Sequence, residues 1–162
     1  MSVLIVTGAS SGIGAATARL AASRGYAVAV NYLRSRAEAE QVAATIRAGG
    51  GQAAAIQADI SQEEDVLRLF ETTQRELGSV TALVNNAATL EAQARLDSMD
   101  AARLQRVFAT NVIGSFLCVR EAVRRMSTRH GGRGGAIVNV SSGAARYGSP
   151  GEYVDYAASK GA

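Results

Sequence analysis

Residue types that carry most metal and disulfide chemistry are almost missing from this sequence. It has one cysteine, one histidine, one proline and no tryptophan among 162 residues. Cys118 therefore cannot form a disulfide within the chain, and its apolar helical surroundings favour a small buried residue over a nucleophile. His130 stands in "RHGGRGG" with no second ligand beside it, which indicates an exposed loop rather than a metal site or a catalytic base. We expect no bound metal and a reducing, cytoplasmic environment.

The sequence also lacks a large excess of either positive or negative charge. Seventeen basic residues against fourteen acidic ones give a net charge of +3, and aromatic residues make up only 5%. The arginines are scattered and no basic run alternates with stacking side chains, so the pattern does not favour nucleic-acid binding. That alternative would predict an affinity that falls steeply with salt. The apolar start "MSVLIVTG" has no basic segment and reaches glycine early, which argues against a signal peptide or a membrane span.

Short apolar runs alternate with longer segments of helical period along the whole chain. This alternation is typical of a parallel sheet that is covered by helices on both faces. The strands predicted in this way cover residues 3–6, 27–30, 53–57, 82–85 and 136–140. Two of the predicted helices cover residues 62–77 and 99–129, where apolar residues are spaced three and four apart. We predict one α/β domain over residues 1–162, a doubly wound parallel sheet with strand order 3-2-1-4-5.

In a sheet of this kind the ligand lies beyond the carboxyl ends of the strands. The first strand runs into "TGASSGIG", residues 7–14, and a predicted helix follows. Its glycines let the backbone turn tightly and approach a pyrophosphate, which unpaired N–H groups at a helix start attract. An ordinary strand-to-helix turn would need one glycine rather than three. The residues that we expect to hold a dinucleotide here are Gly8, Ser10, Ser11, Gly12, Ile13 and Gly14.

The end of the second strand bears on which dinucleotide is bound. An acidic residue at this point bonds the ribose hydroxyls of NAD, whereas a 2′-phosphate requires arginine. The sequence reads "VNYLRSR", with Asn31, Arg34 and Arg36 and no acid. NADP(H) is therefore favoured, with Asn31 and Arg34 as its contacts, and NAD(H) is the alternative. Either arginine could equally be a solvated charge at a helix start.

Two further strand ends carry candidate cofactor contacts. Asp59 and Ile60 follow the third strand and could meet an adenine ring, although an N-cap role for Asp59 or Ser61 is an equal alternative. "NNAA", residues 85–88, follows the fourth strand, and its two small residues allow the backbone to lie close to a ligand. We expect Asn85 and Ala87 to be the contacts there.

Asn111 is an unusual residue for its position. The long predicted helix carries an apolar stripe, and this amide lies on the same face. A buried amide needs hydrogen-bond partners or it costs free energy. Asn111 is therefore either a satisfied structural residue or the mark of a helix that is interrupted for function.

The only lysine of the chain, Lys160, lies four residues after Tyr156 in "YAASK". At this spacing the two side chains share one face of a helix. A free phenol ionises near pH 10, and a neighbouring cation favours the ionised form. Such spacing also arises by chance, so the pair alone does not decide a function. Ser141 and Ser142 follow the fifth strand without a nearby histidine, which leaves them as donors to a substrate oxygen rather than nucleophiles.

Five motifs in this order resemble the short-chain dehydrogenases/reductases. "TGASSGIG" is similar to the family's TGxxxGxG, "NNAA" to its NNAG with Ala88 in place of glycine, and "NVIG" to its helical asparagine. "IVNVSS" is similar to its serine strand and "YAASK" to its YxxxK. The resemblance covers the entire chain and implies a Rossmann-like fold that transfers hydride between a nicotinamide cofactor and a carbonyl or secondary alcohol. "NY" after the second strand is similar to NADP(H)-preferring members, among them relatives of 3-oxoacyl-carrier-protein reductase and glucose 1-dehydrogenase.

The resemblance also assigns catalytic roles. It implies that Tyr156 is the general acid/base, that Ser142 polarises the carbonyl and that Lys160 holds the ribose and favours the ionised tyrosine. It implies that Asn111 holds a water in a proton relay from Lys160. Ser142 is expected rather than Ser141 because the second serine of "NVSS" aligns with the family's catalytic one. Tyr156 and Lys160 would both contact the cofactor, the substrate would be a small carbonyl or alcohol, and the protein would form a homo-oligomer.

The sequence departs from the family at its end. Members normally continue for about half as much chain again, so a chain that stops at residue 162 would expose the fifth strand and leave Tyr156 and Lys160 on a fraying helix. The sequence is then either a fragment of an active reductase or a short protein with little catalysis. A further alternative is a dinucleotide-binding module that senses cofactor without turnover.

Overall fold

The computed structural model describes residues 1–162 as a parallel sheet with helices on both faces. The five strands are β1 (Val3–Val6), β2 (Ala27–Tyr32), β3 (Ala53–Gln57), β4 (Val80–Asn85) and β5 (Ala136–Asn139). They are arranged in the order β3-β2-β1-β4-β5, and all four pairings are parallel. The predicted doubly wound α/β fold and its strand order are confirmed.

Seven α-helices connect and cover the strands. They are α1 (Gly12–Ser23), α2 (Arg36–Ala48), α3 (Glu63–Leu77), α4 (Ala101–Phe108), α5 (Ser115–Met126), α6 (Ala144–Tyr147) and α7 (Val154–Gly161). Short 3₁₀ turns lie at Leu96–Ser98 and Thr128–His130. None of the helices combines the length and the apolar character needed to cross a bilayer.

Two apolar layers hold the sheet between the helices. β1 and β2 are buried at every position, which explains why their sequences are continuous apolar runs rather than alternating ones. Helices α1 and α2 pack on one face through small residues such as Ala18 and Ala43. Helices α3 and α5 pack on the other face through Phe70 and Cys118. Burial, together with the charge of Glu121, raises the pKa of the Cys118 thiol to about 12.

The strand predictions were accurate in position and differ from the structure at their ends. β2 continues to Tyr32 because Asn31 and Tyr32 still pair with β3, and β4 begins at Val80, where the pairing with β1 shifts register. β5 ends one residue earlier than predicted, at Asn139. This edge strand is exposed at three of its four residues, and Val138 is 53% exposed.

The predicted helix over residues 99–129 is corrected by the structure. It begins at Ala101, because the carboxylate of Asp100 accepts a hydrogen bond from the N–H of Arg103 and caps the first turn. It ends at Met126, and a π-helical turn over Ala109–Gly114 separates α4 from α5. Because a π turn accommodates one more residue than an α turn, it is invisible to a search for regular helical period.

Candidate active site

The turn between β1 and α1 brings the backbone of β1 against that of β4. Gly8 has φ +61°, and a Cβ atom at this position would lie 2.8 Å from the Cα of Ala87. At Gly14, a Cβ would lie 2.5 Å from the Nδ2 of Asn86. The backbone N–H groups of residues 10–13 make no hydrogen bond within the protein. They form an unsatisfied set of donors at a helix start, which suits the pyrophosphate of a dinucleotide.

A cleft of about 1090 Å³ opens beyond the carboxyl ends of β1 to β4. It brings together eight of the predicted cofactor residues, namely Gly8, Ser10, Ser11, Asn31, Arg34, Asp59, Ile60 and Ala87. The other six predicted contacts lie outside its lining: Gly12 and Ile13 are exposed at the start of α1, Gly14 and Asn85 are buried, and Tyr156 and Lys160 lie on α7, where Lys160 lines a separate cavity of about 210 Å³. The structure therefore has a cleft at the carboxyl edge of the sheet, where the ligand is expected.

Asn31 lies in the cleft wall, but its side-chain amide makes its hydrogen bonds within the protein. Its Oδ1 accepts a hydrogen bond from the N–H of Gly8 at 3.1 Å, and its Nδ2 donates to the carbonyls of Ile56 and Ala58 at 3.3 and 3.1 Å. The residue thus joins the glycine turn to the end of β3. Arg34, three residues later, is exposed at the cleft and takes part in no ion pair.

Asp59 organises the turn after β3. Its Oδ1 accepts hydrogen bonds from both the N–H and the Oγ of Ser61, at 2.9 and 2.7 Å. The following helix begins at Glu63, so Asp59 closes a turn before the helix rather than capping the helix itself. The backbone N–H of Asp59 donates to the carboxylate of Asp65. Hydrogen bonds from Arg68 and from this N–H hold the pKa of Asp65 below its usual value.

Thr7 and Asn86 contribute bonds that the sequence analysis missed. The Thr7 Oγ accepts hydrogen bonds from the N–H groups of Asn86 and Ala87, both at 3.0 Å. The Asn86 Nδ2 donates in return to the carbonyls of Thr7 and Gly8 at 3.0 Å. This reciprocal pair fixes the ends of β1 and β4 against each other. The only signal in the sequence was the doubling of asparagine in "NNAA".

Asn85, the first residue of "NNAA", faces away from the cleft. Its Nδ2 donates to the carbonyl of Ser115 and to the Oδ1 of Asn139, at 3.2 and 2.9 Å. Its own Oδ1 is buried without a partner. The residue therefore ties β4 to β5 and α5, and its expected cofactor contact stays a prediction.

Asn111 lies within the π-helical turn and is 6% exposed. Its Oδ1 accepts from the N–H of Thr89 at 2.7 Å, and its Nδ2 donates to the carbonyl of Thr89 at 3.0 Å and to the Oγ of Ser159 at 2.9 Å. Both amide hydrogens are engaged, so a water could reach only the second lone pair of Oδ1 or the main chain. The relay role implied by the resemblance stays a prediction.

Tyr156 and Lys160 lie on one face of α7, as their spacing predicts. The Lys160 Nζ is 5.9 Å from the centroid of the Tyr156 ring. This ammonium donates to the carbonyl of Val140, just beyond β5, at 2.8 Å. Burial lowers its pKa below the usual value for lysine.

The two serines after β5 have different environments. The Ser141 Oγ donates to the carbonyl of Lys160 at 2.8 Å. The Ser142 Oγ accepts from the N–H of Ala144 at 3.2 Å, which leaves its own hydrogen free for another acceptor. This difference agrees with the choice of Ser142 over Ser141 as the donor to a substrate.

The sequence analysis also missed an ion pair between α4 and α7. The Arg103 Nε lies 2.7 Å from the Oδ2 of Asp155, and its Nη2 lies 3.3 Å from the Oδ1. Both residues are buried, at 9% and 3% exposure. Hydrogen bonding from Arg103 holds the pKa of Asp155 below its usual value, against the opposing effect of burial. No motif marks the pair, since its members are separated by 52 residues.

Residues 2–162 match the family described as "short chain dehydrogenase". The chain belongs to that family. The glycine turn and the tyrosine–lysine pair agree with that membership and with its Rossmann-like fold.

Individual proteins are similar to this chain over nearly all of its length. The Escherichia coli (strain K12) protein named uncharacterized oxidoreductase YgfF is 54% identical over 162 residues, which are 100% of this chain and 66% of YgfF. A 3-oxoacyl-[acyl-carrier-protein] reductase of Synechocystis is 39% identical over 98% of this chain and 62% of that protein. The crystal structure of a dehydrogenase/reductase from Sinorhizobium meliloti 1021 has a TM-score of 0.90 and 34% identity, and covers 99% of this chain and 61% of its own. The chain thus spans slightly less than two thirds of these relatives.

Proposed function

We propose that the protein interconverts a small carbonyl compound and the corresponding secondary alcohol, with NADP(H) as cofactor and Tyr156 as the general acid/base. The observation that carries this proposal is helix α7, which presents Tyr156 and Lys160 on one face and bonds the Lys160 ammonium to the carbonyl of Val140, just beyond the carboxyl end of β5. Ser141, the neighbour of Ser142, donates to the carbonyl of Lys160. A module that only binds a dinucleotide has no evident need for a paired phenol and ammonium at this edge of the sheet.

The residues present fit a dinucleotide. The unbonded N–H groups of residues 10–13 and the close backbone approach at Gly8 form a cradle that a side chain would fill. Lys160 has three donor hydrogens, and Val140 uses one, so two remain for a pair of ribose hydroxyls. Bound NADPH supplies the hydride that a carbonyl carbon accepts.

The chain's own residues supply the proton and orient the substrate. In reduction, the Tyr156 hydroxyl donates its proton to the carbonyl oxygen as that oxygen becomes an alkoxide. The free hydrogen of Ser142 bonds the same oxygen and stabilises its developing charge. Lys160 lies close enough to favour the tyrosinate that remains, and in oxidation Tyr156 takes the proton back. Asn111 holds the loop at Thr89 in place and, through a water, would connect Lys160 to solvent.

Preference for NADP(H) rests on Arg34. It is exposed at the cleft without an ion pair, and no carboxylate follows β2 to bond a ribose diol. An unpaired guanidinium is a strong donor for a 2′-phosphate. NAD(H) remains the alternative cofactor.

The decisive experiment compares Tyr156→Phe with the unaltered chain. NADPH oxidation is followed by absorbance with ethyl acetoacetate, a β-keto ester chosen because the Synechocystis relative is named a 3-oxoacyl reductase, and with simple ketones and aldehydes. We expect the substitution to reduce turnover by about 10²- to 10⁴-fold, since general acid catalysis contributes that much, while NADPH affinity measured by fluorescence changes little.

Tyr153→Phe is the matched control, because Tyr153 lies three residues away in the same segment and carries the same phenol. It should leave turnover unchanged. Equal activity of the Tyr156→Phe protein and the unaltered one would contradict the proposal. NADPH binding without turnover of any carbonyl would instead favour a binding module.

We further propose that the complete enzyme works in the cytoplasm as a homo-oligomer. The buried, unpaired Cys118 suits a reducing compartment. Size-exclusion chromatography with light scattering would show whether the protein exceeds the mass of one chain.

A further inference from the structure

We propose that Arg103 and Asp155 are positioning residues, which hold α7 at one rotation and so set the direction of the Tyr156 phenol. This inference rests on the function proposed above for Tyr156. It assigns no contact with substrate or cofactor to either member of the pair, and it concerns the buried ion pair between α4 and α7.

The two hydrogen bonds of the Arg103–Asp155 pair fix direction as well as distance. Two parallel N–H···O bonds, at 2.7 and 3.3 Å, join the guanidinium edge to both carboxylate oxygens. A fork of this kind fixes the relative orientation of two groups, whereas apolar contacts fix mainly their separation. The Asp155 side chain is 1% exposed and that of Arg103 is 10% exposed, so water does not compete for these bonds.

Arg103 also reaches the loop between β4 and α4. Its Nη1 donates to the carbonyl of Ala92 at 2.7 Å. Two residues later, the N–H of Ala94 donates to the carbonyl of Glu152, just before α7. The loop and the start of α7 are thus held to one another and to one arginine.

A second connection lies one turn further along α7. Asn111 joins Thr89 of the same loop to the Oγ of Ser159, as Arg103 joins Ala92 to Asp155. The two anchored residues of α7 are therefore four apart, so they share one face of the helix.

Each anchored residue directly precedes a residue of the proposed catalytic pair. Asp155 precedes Tyr156, and Ser159 precedes Lys160. Successive helical residues are rotated by about 100°, so fixing one position sets the direction of the next. Anchoring Asp155 to α4 and Ser159 to the π-helical turn therefore fixes where the phenol and the ammonium point.

The first experiment compares Asp155→Asn with Glu63→Gln by hydrogen exchange of the full chain. Both changes convert a carboxylate opposite an arginine into an amide, but Glu63 pairs with Arg120 far from α7. We expect amide exchange in residues 154–161 to accelerate about tenfold or more in Asp155→Asn only, since the energy of local opening falls. Unchanged exchange in β1 and β2 shows that the variant is folded.

The second experiment uses Arg103→Ala with added methylguanidinium chloride, which replaces the missing guanidinium. Protection of α7 should be lost in the variant and restored by methylguanidinium, but not by sodium chloride at the same ionic strength. With ethyl acetoacetate and NADPH, kcat should fall about 10- to 100-fold, as expected for a misplaced catalytic group, while KM and NADPH affinity stay within about twofold. A general disturbance of the site would lower kcat but would also raise KM and weaken NADPH binding.

Unchanged exchange of α7 in Asp155→Asn overturns the inference, as does an equal effect of Glu63→Gln. A loss of α7 protection with kcat unaltered also overturns it. These outcomes are separate from those of the proposed function, which fails if Tyr156→Phe retains full turnover. If the protein reduces no carbonyl, the claim that the pair serves catalysis falls with the proposed function, while exchange and rescue still decide whether it holds α7.

Discussion

At the scale of single residues, the polar side chains of the site fall into two groups. Some make all their hydrogen bonds within the protein, and a few keep donors that are free to bond a ligand. Asn31 and Asn111 are polar, lie near the cleft and use their amides within the protein. The Arg34 guanidinium, two hydrogens of the Lys160 ammonium and the Ser142 hydroxyl are free to meet a ligand. The free groups are the ones in which substitution should alter binding without altering the fold.

Arg34→Ala tests the cofactor preference at this scale. We expect NADPH affinity to fall about tenfold, because a charge-assisted bond to a 2′-phosphate is lost, while NADH affinity is unchanged. Arg36→Ala is the control, since Arg36 is equally exposed but lies outside the cleft lining. Fluorescence titration of both cofactors provides the measurement. An equal loss for NADPH and NADH would contradict the assignment.

At the scale of elements, the turn between β1 and α1 has two distinct requirements for glycine. Gly8 and Gly12 both adopt positive φ, at +61° and +54°. A Cβ on Gly8 would collide with Ala87, whereas nothing lies within 4 Å of a Cβ on Gly12. The first position needs glycine for space and conformation, and the second for conformation alone.

The free energies of unfolding of Gly8→Ala and Gly12→Ala should therefore differ. Gly12→Ala is expected to lower this energy by about 1–2 kcal/mol, the cost of left-handed backbone for a residue with Cβ. Gly8→Ala should lower it by about 1–3 kcal/mol more, since β4 must move away. Urea denaturation of the two variants makes the comparison. Equal losses would show that the approach of Gly8 to β4 is not tight.

Sequence patterns predicted the elements that depend on local spacing. The glycine turn and the tyrosine–lysine pair were accessible because each lies within a few consecutive residues, and the strand order followed from the alternation of strands and helices. The π-helical turn was not accessible, since no residue type marks it, and it leaves Cys118 and Ala122 buried while Val123 is 42% exposed. The Arg103–Asp155 pair was not, because nothing in either local sequence indicates a partner 52 residues away.

At the scale of the whole molecule, resistance to acid reflects all the paired carboxylates together. Burial alone would raise the pKa of Glu121, but hydrogen bonds and charge from Arg125 and neighbouring arginines outweigh it and lower that pKa. Hydrogen bonding from Arg103 likewise lowers the pKa of Asp155. A carboxyl with a lowered pKa in the folded state stabilises the fold above its unfolded value, about 4, and that contribution is lost as the pH falls through the folded value.

Glu121→Gln should therefore make unfolding less sensitive to acid. We expect its free energy of unfolding to lie below that of the unaltered protein near neutral pH, and the difference to narrow as the pH falls from about 5 toward 3. Urea denaturation at a series of pH values gives both curves, with Glu63→Gln as an exposed carboxylate control. Parallel curves for Glu121→Gln and the unaltered protein would show that this carboxylate does not contribute.

The burial of Cys118 makes its reactivity a measure of local unfolding between α5 and the sheet. It is the only thiol, it is fully enclosed between α5 and the sheet, and its raised pKa keeps it protonated at neutral pH. Alkylating reagents react with the thiolate, so modification must wait until α5 separates from the strands beneath it. The rate at which iodoacetamide labels the native chain therefore reports how often the core opens around Cys118. Mass spectrometry measures this rate without an introduced probe.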